Sequence, residues 1–208
     1  MSAVVAIDGP AGSGKSSVAR ALADALGYSF LDTGAMYRAV TAEALARGLD
    51  PHDGPALGEL ARSMDLVLVP RVLVNGRDVE DTLRSEAVNA AVSVVAAHRV
   101  VRAAMVDRQR EWAANQPVGT VAEGRDTATV VFPEATLKVF LTASLEERQR
   151  RRGDESAESV ARRDAVDSTR DASPLRAAPG ACVVDTTDVA VADVVKEIMT
   201  CLATRTSC

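Results

Sequence analysis

The chain has 208 residues, the length of one domain with inserted pieces, and at that size it buries roughly 70% of its unfolded surface and needs no covalent staples. Its 47% hydrophobic and 25% charged residues are those of a soluble globular protein, and only 3% aromatics leave Val, Leu, Ala and Ile to build the core. A formal charge of −5 excludes a generally basic nucleic-acid binder.

From the first residues, Ala3 to Asp8 form a short apolar run that stops at Gly9-Pro10 and reads as a buried parallel strand. The run is too short for a signal peptide, and no stretch approaches the ~20 apolar residues of a membrane span, so the expected location is the cytoplasm. Residues 15–26 place Val18, Leu22, Ala25 and Leu26 on one helical stripe that ends before Gly27. A second strand, Ser29 to Leu31, leads to a helix over about 35–47. Strand, glycine loop, helix and strand together open a wound α/β fold.

The middle differs. Residues 66–69 and 72–74 flank Pro70-Arg71, and Val74 meets Asn75-Gly76, a strong hairpin signal, so small antiparallel strands are expected outside the parallel sheet. Helices are expected over about 84–97 and 99–114, then strands over 118–122 and 137–141. Residues 144–152 read as a helix capped by Ser144, with Glu147 in the capping-box position. A last strand at 182–185 precedes a closing helix over about 189–203. Cys182, Cys201 and Cys208 are odd in number and lack zinc-site spacing, so reduced thiols without a special role are expected.

The most specific motif is Gly9-Pro10-Ala11-Gly12-Ser13-Gly14-Lys15-Ser16, which fits G-x-x-x-x-G-K-[S/T] between a strand and a helix, the context that motif requires. Glycines let successive amides converge on phosphate oxygens, and the helix N-terminus adds partial positive charge. Lys15 can reach the β- and γ-phosphates and the Ser16 hydroxyl can ligate Mg²⁺. The chain is therefore read as binding a nucleoside triphosphate.

Three further constellations bear on what receives the phosphate. Leu31 to Arg38 (LDTGAMYR) follows the second strand, at the end of a parallel sheet where ligands bind, with Thr33 and Arg38 able to hydrogen-bond an acceptor. Arg125-Asp126, after the strand at 118–122, faces the same crevice or forms a structural ion pair. The arginine-dense tract from Arg148 to Arg170 is either a solvated charged face or a mobile lid that neutralises a transferring phosphoryl group.

At these residues the sequence resembles the bacterial cytidylate kinases, nucleoside monophosphate (NMP) kinases of the P-loop class. The resemblance rests on IDGPAGSGKSS at 7–17, LDTGAMYRAV at 31–40, NGRDVEDTLRSEAV at 75–88, SVVAAHRVVR at 93–102, RQREW at 108–112, EGRDTATVVFPEA at 123–135, LKVFLTASLEERQRRR at 137–152, RRDAVDSTRDASPL at 162–175 and VVDTT at 183–187. It implies a P-loop NTPase fold of class α/β: a parallel sheet flanked by helices, an inserted NMP-binding segment with small antiparallel strands, and a short lid. Residues 1–49 and 99–208 would be the CORE, 50–98 the NMP-binding insertion and 150–170 the lid.

The activity so implied is transfer of the ATP γ-phosphoryl group to CMP or dCMP. Residues Gly9 to Ser17, Ser17 included, would bind ATP, with Lys15, Arg125, Arg163 and Arg170 catalytic and Ser16 on Mg²⁺. Thr33 would contact the acceptor nucleotide; Ser93, Arg102 and Asp126 would read cytosine. Arg38, Arg125 and Arg163 would hold the acceptor phosphate, and Asp167 with Arg163 the ribose hydroxyls. Arg170 and the arginines near 148–152 would serve the transferring phosphate. A carboxylate accepts from the cytosine amino group and repels the uracil carbonyl, which fits Asp126. Expected partners are the nucleotides alone, with no nucleic acid and no membrane, and the chain is expected to act as a monomer.

Two features depart from the family pattern. Ala128 stands where glycine is usual, a position that glycine would occupy for positive φ or close approach. The stretch from Arg152 to Arg163 is shorter than in relatives. Alternatives on the same fold are a kinase of UMP, shikimate or dephospho-coenzyme A; a P-loop switch and a pseudo-enzyme lie further off.

Overall fold

A computed structural model describes residues 3–152 and 175–206. The lid expected at 150–170 therefore falls almost wholly outside the described residues, as do Arg163, Asp167 and Arg170. The chain divides into two compact units: Met1–Asp32 with Arg110–Cys208, and Thr33–Gln109.

The first unit is a five-stranded sheet with every neighbouring pair parallel. Its strands are β1 (Ala3–Asp8), β2 (Ser29–Asp32), β6 (Gly119–Gly124), β7 (Leu137–Thr142) and β8 (Cys182–Asp185), in the order β2-β6-β1-β7-β8. Helices α1 (Lys15–Leu26) and α7 (Val191–Thr206) cover one face. There Val5 and Ile7 of β1 meet Val18 and Leu22 of α1 and Val194 and Ile198 of α7. Ala6 points to the other face and packs with Ala128 and Ala178. A strand covered on both faces has no polar side to show, which is why Ala3 to Ile7 reads as an unbroken apolar run.

In the second unit, α2 (Thr33–Ala46) packs against α3 (Gly54–Ser63) and α4 (Glu86–Val95). Three two-residue strands, β3 (Leu66–Val67), β4 (Leu73–Val74) and β5 (Arg77–Asp78), make a separate antiparallel sheet. Asn75 and Gly76, at φ 50° and 76°, form the turn between β4 and β5, as the dipeptide predicts. Buried Glu43 on α2 accepts from Arg47, Arg77 and Asn75, tying that hairpin to the helix. Helix α5 (Arg99–Ala114) follows.

Several expectations need correction. Helix α2 starts at Thr33, directly after β2, where a loop was expected. Helix α3 was not anticipated, although Asp53 caps it by accepting from the Ala56 amide at 3.0 Å and Pro55 sits in its first turn. Helix α6 (Leu145–Arg152) carries only half a capping box: Ser144 Oγ accepts from the Glu147 amide, but the Glu147 carboxylate turns to Arg150 and Arg151. The thiol expectation also fails. Cys182 on β8 and Cys201 on α7 are joined in a disulfide, because α7 lies along the sheet beside β8. A separation of 19 residues in sequence gave no hint of that proximity.

Candidate active site at the strand ends

The loop from Gly9 to Gly14 leaves β1 at its carboxyl end. Gly12 has φ 77°, and a Cβ there would stand 2.6 Å from the Arg148 carbonyl oxygen. Gly14, at φ 82°, occupies the N-cap of α1. Both positions need glycine, the first for space as well as for backbone conformation.

Three consecutive carbonyls of the loop accept from three cations. Arg125 Nη1 donates to Gly9 O, Lys15 Nζ to Pro10 O at 2.7 Å, and Arg148 Nη1 to Ala11 O at 3.2 Å. Lys15, only 8% exposed, also lies 3.5 Å from Ser13 Oγ. With cations on its carbonyl side, the loop gathers positive charge beside amides already suited to anions.

A buried carboxylate missed by the sequence reading completes this end. Glu123, on β6, accepts from Ser16 Oγ at 2.6 Å and stands in register with Asp32 of β2. Burial pushes its carboxyl up, the Asp32 charge adds to that, and Lys15, Ser16 and Arg125 pull it back down. The expected strand ends at Ala122, two residues short of the observed end at Gly124 and one short of Glu123. An acid closing an apolar strand was the available signal. Ser16 and Glu123 offer hard oxygen donors, so the residues present fit Mg²⁺. Among the described residues no cluster of three or more His, Cys, Asp or Glu could hold a metal by itself. A cation here would draw its other ligands from phosphate and water, as Mg²⁺ commonly does.

Arg125 and Asp126 follow β6, and residues Thr127–Val131 form a short π-helical turn with Asp126 at its N-cap. The turn is held from β1: Asp8 accepts from the Thr127 amide at 2.8 Å, Thr127 Oγ1 at 2.6 Å and the Ala128 amide at 2.8 Å. Ala128 has no positive φ, and its methyl is buried against Ala6 and Ala178, so this backbone accepts alanine in place of glycine.

Beside Gly14 and Ser17 lies a cavity of about 420 Å³, lined also by Arg150, Arg151, Asp188 and Val189. Glu147 holds both arginines at 2.6–2.7 Å, and they keep its carboxyl below the usual carboxylate range, Arg150 most strongly. Arg151 also donates to Thr186, whose hydroxyl donates on to Ser13 O at 3.1 Å. The stretch Thr186 to Val189 thus borders the phosphate loop. Sequence reading noted the motif at 183–187 but gave it no role.

The remaining expected residues lie in the second unit. Thr33 opens α2 and is buried. Arg38 Nη1 donates to Leu83 O at 3.0 Å and Asn89 Oδ1 at 2.6 Å. Ser93 is half-buried on α4. Buried Arg102 on α5 donates to Ala96 O at 3.2 Å and lies 5.5 Å from the centre of the Tyr37 ring, a cation–π distance. The structure thus gathers the expected ATP-binding residues with Arg125 and Asp126 in the first unit, and Thr33, Arg38, Ser93 and Arg102 in the second.

Residues 5–204 match the cytidylate kinase family as a whole. The chain belongs to the cytidylate kinase family. A cytidylate kinase of Geobacillus kaustophilus is 50% identical, with 94% of each chain covered. One of Mycobacterium avium is 47% identical over 94% of this chain and 92% of its own. The crystal structure of TT1252 from Thermus thermophilus aligns at a TM-score of 0.52 and 19% identity, covering 98% of this chain and 97% of that one, which shows the shared fold.

Proposed function

We propose that the chain transfers the γ-phosphoryl group of ATP to CMP or dCMP, giving CDP or dCDP. The observation that carries this reading is the phosphate loop of a cytidylate kinase family member with Lys15, Arg125 and Arg148 converging on its carbonyls.

Both substrates are polyanions, so the task is to bring two phosphates into line and neutralise their charge. Loop amides and Lys15 hold the donor phosphates, and the cavity beside Gly14 and Ser17 takes the rest of the ATP. Its volume of about 420 Å³ falls in the range of small-molecule sites. Ser16 and Glu123 would hold Mg²⁺, which when bound supplies charge neutralisation on the phosphates. Arg125, which donates to Gly9 O, holds the acceptor phosphate together with Arg38 and Arg163. Thr33 contacts the acceptor nucleotide, Asp167 with Arg163 holds the ribose, and Arg170 serves the transferring group. Phosphoryl transfer of this kind runs on positioning and electrostatics and needs no strong general base.

The acceptor side is assigned to segment 50–98, the core to 1–49 and 99–208, and the lid to 150–170. Ser93, Arg102 and Asp126 read the base. One good polar pair discriminates by roughly 1–3 kcal/mol, or ten- to over a hundredfold. Initial rates with CMP, dCMP, UMP and AMP at fixed Mg-ATP test the reading. CMP and dCMP are expected to lead by at least tenfold; equal rates with UMP defeat it.

A further inference from the structure

Asp8, the one carboxylate of β1, closes that strand directly before the phosphate loop and is 1% exposed. Burial works against its charge, and its three hydrogen bonds work for it. All three partners are donors: two backbone amides and a hydroxyl. Only an acceptor-only group satisfies such a set, and a side-chain amide would turn one NH₂ toward a donor.

The bonds have an unusual source. An aspartate at a helix N-cap ordinarily folds its own carboxylate back onto the first amides. Asp126 occupies that position before the 127–131 turn and makes no such bond. Its backbone carbonyl accepts from Val130 and Val131, while Asp8, from a neighbouring strand, takes the amides of Thr127 and Ala128. The cap is supplied from outside, so the carboxylate of Asp126 is not drawn back onto its own turn. On the other side of the same dipeptide, Arg125 donates to the carbonyl of Gly9, the residue after Asp8. Asp8 and Gly9 therefore grip the Arg125-Asp126 loop at both ends.

We infer that Asp8 is a positioning residue for base recognition: by capping the 127–131 turn from β1, it sets the direction of the Asp126 carboxylate that discriminates cytosine from uracil. The inference rests on the reading of Asp126 given above. It makes acceptor selectivity depend on a buried residue that contacts no nucleotide, and it gives the aspartate of the Ile7-Asp8-Gly9 segment a role separate from phosphate binding.

The experiment compares kcat/KM for CMP and UMP, and KM for ATP, in wild type, Asp8→Asn and Thr127→Val. Thr127→Val removes one of the three bonds and keeps the side-chain shape. Asp8→Asn is expected to lower the CMP-to-UMP ratio by about tenfold, most of the ratio that one polar pair supplies, while KM for ATP stays within twofold. Thr127→Val is expected to lower it by about threefold, as a partial loss of the same discrimination. A merely structural role would reduce the active fraction and lower kcat for both acceptors alike. An unchanged ratio in Asp8→Asn therefore overturns the inference, as does a rise in KM for ATP equal to that for CMP. If Asp8→Asn does not fold, by circular dichroism, the ratio in Thr127→Val decides in its place. Wild type without a CMP preference sinks the Asp126 reading itself; a wild-type preference that survives in the variants sinks only the role of Asp8.

Discussion

The two units carry their cations differently. In the first, Arg125, Lys15 and Arg148 meet on three successive carbonyls of one loop, Gly9 to Ala11. In the second, Arg38 donates to Leu83 and Asn89, and Arg102 meets Ala96 and the face of Tyr37. A phosphate chain with several negative groups is met by concentrated charge and convergent amides. On the proposed reading, the cations of the second unit serve a single phosphate and a base, which ask for different contacts. Carbonyl oxygens accept in both units, so a neutral dipole is part of what fixes each guanidinium in place.

If the first arrangement is the donor machinery, its ammonium should be the costliest group to remove. Lys15→Ala is expected to lower kcat by roughly 10²–10³, the effect of deleting one well-placed electrostatic contact, with an unchanged circular dichroism spectrum. A variant within a few-fold of wild type would break the contrast at its stronger end. Asp126→Ala comes next. It should cut the CMP-to-UMP ratio in kcat/KM by ten- to a hundredfold, equivalent to roughly 1–3 kcal/mol, while the Asp8 bonds to the turn preserve the melting temperature. Asn89→Ala sharpens the comparison from the other unit. Arg38 would keep Leu83 but lose its 2.6 Å contact. KM for CMP should rise about three- to tenfold, the scale of one ordinary hydrogen bond because Leu83 still holds the guanidinium, and KM for ATP should hold. Equal movement of both KM values would show that Arg38 is not dedicated to one substrate.

How far the sequence reached depended on whether a residue's role is local. The loop Gly9 to Ser16, β1 and α1 were legible because glycines, an apolar run and a helical stripe are encoded within a few residues. The hairpin turn at Asn75-Gly76 was legible for the same reason. Glu123, Asp8 and Asp188 were not. Each draws its meaning from partners over 50 residues away in sequence or from the wall of a cavity that only the fold creates. The Cys182–Cys201 bond belongs with them: it depends on where α7 comes to rest against β8. Arg38 and Arg102 were found as cations, but their carbonyl partners carry no side-chain signature and left no trace in the pattern.

Glu123 gives the smallest expected effect and the one with a definite sign. Its carboxyl is raised from an ordinary value of 4.5, first by burial and then by Asp32, so the folded state holds that proton more tightly than the unfolded chain. A group of this kind contributes stability that is fully present below pH 4.5 and is lost as pH rises through its folded value. Glu123→Gln removes the titration while keeping an oxygen that can accept from Ser16. Asp8, also raised by burial, is unchanged in the variant and cancels in the comparison. The melting temperature of wild type relative to Glu123→Gln should therefore fall as pH is raised from about 4.5 toward neutrality. Each kcal/mol of the difference corresponds to about 2–4 °C in a chain of this size. Parallel melting curves across that range would mean that Lys15, Ser16 and Arg125 hold the Glu123 carboxylate charged throughout. The phosphate end would then carry a compensated ion cluster, with no proton held in reserve, and the contrast with the separately partnered cations of the second unit would narrow.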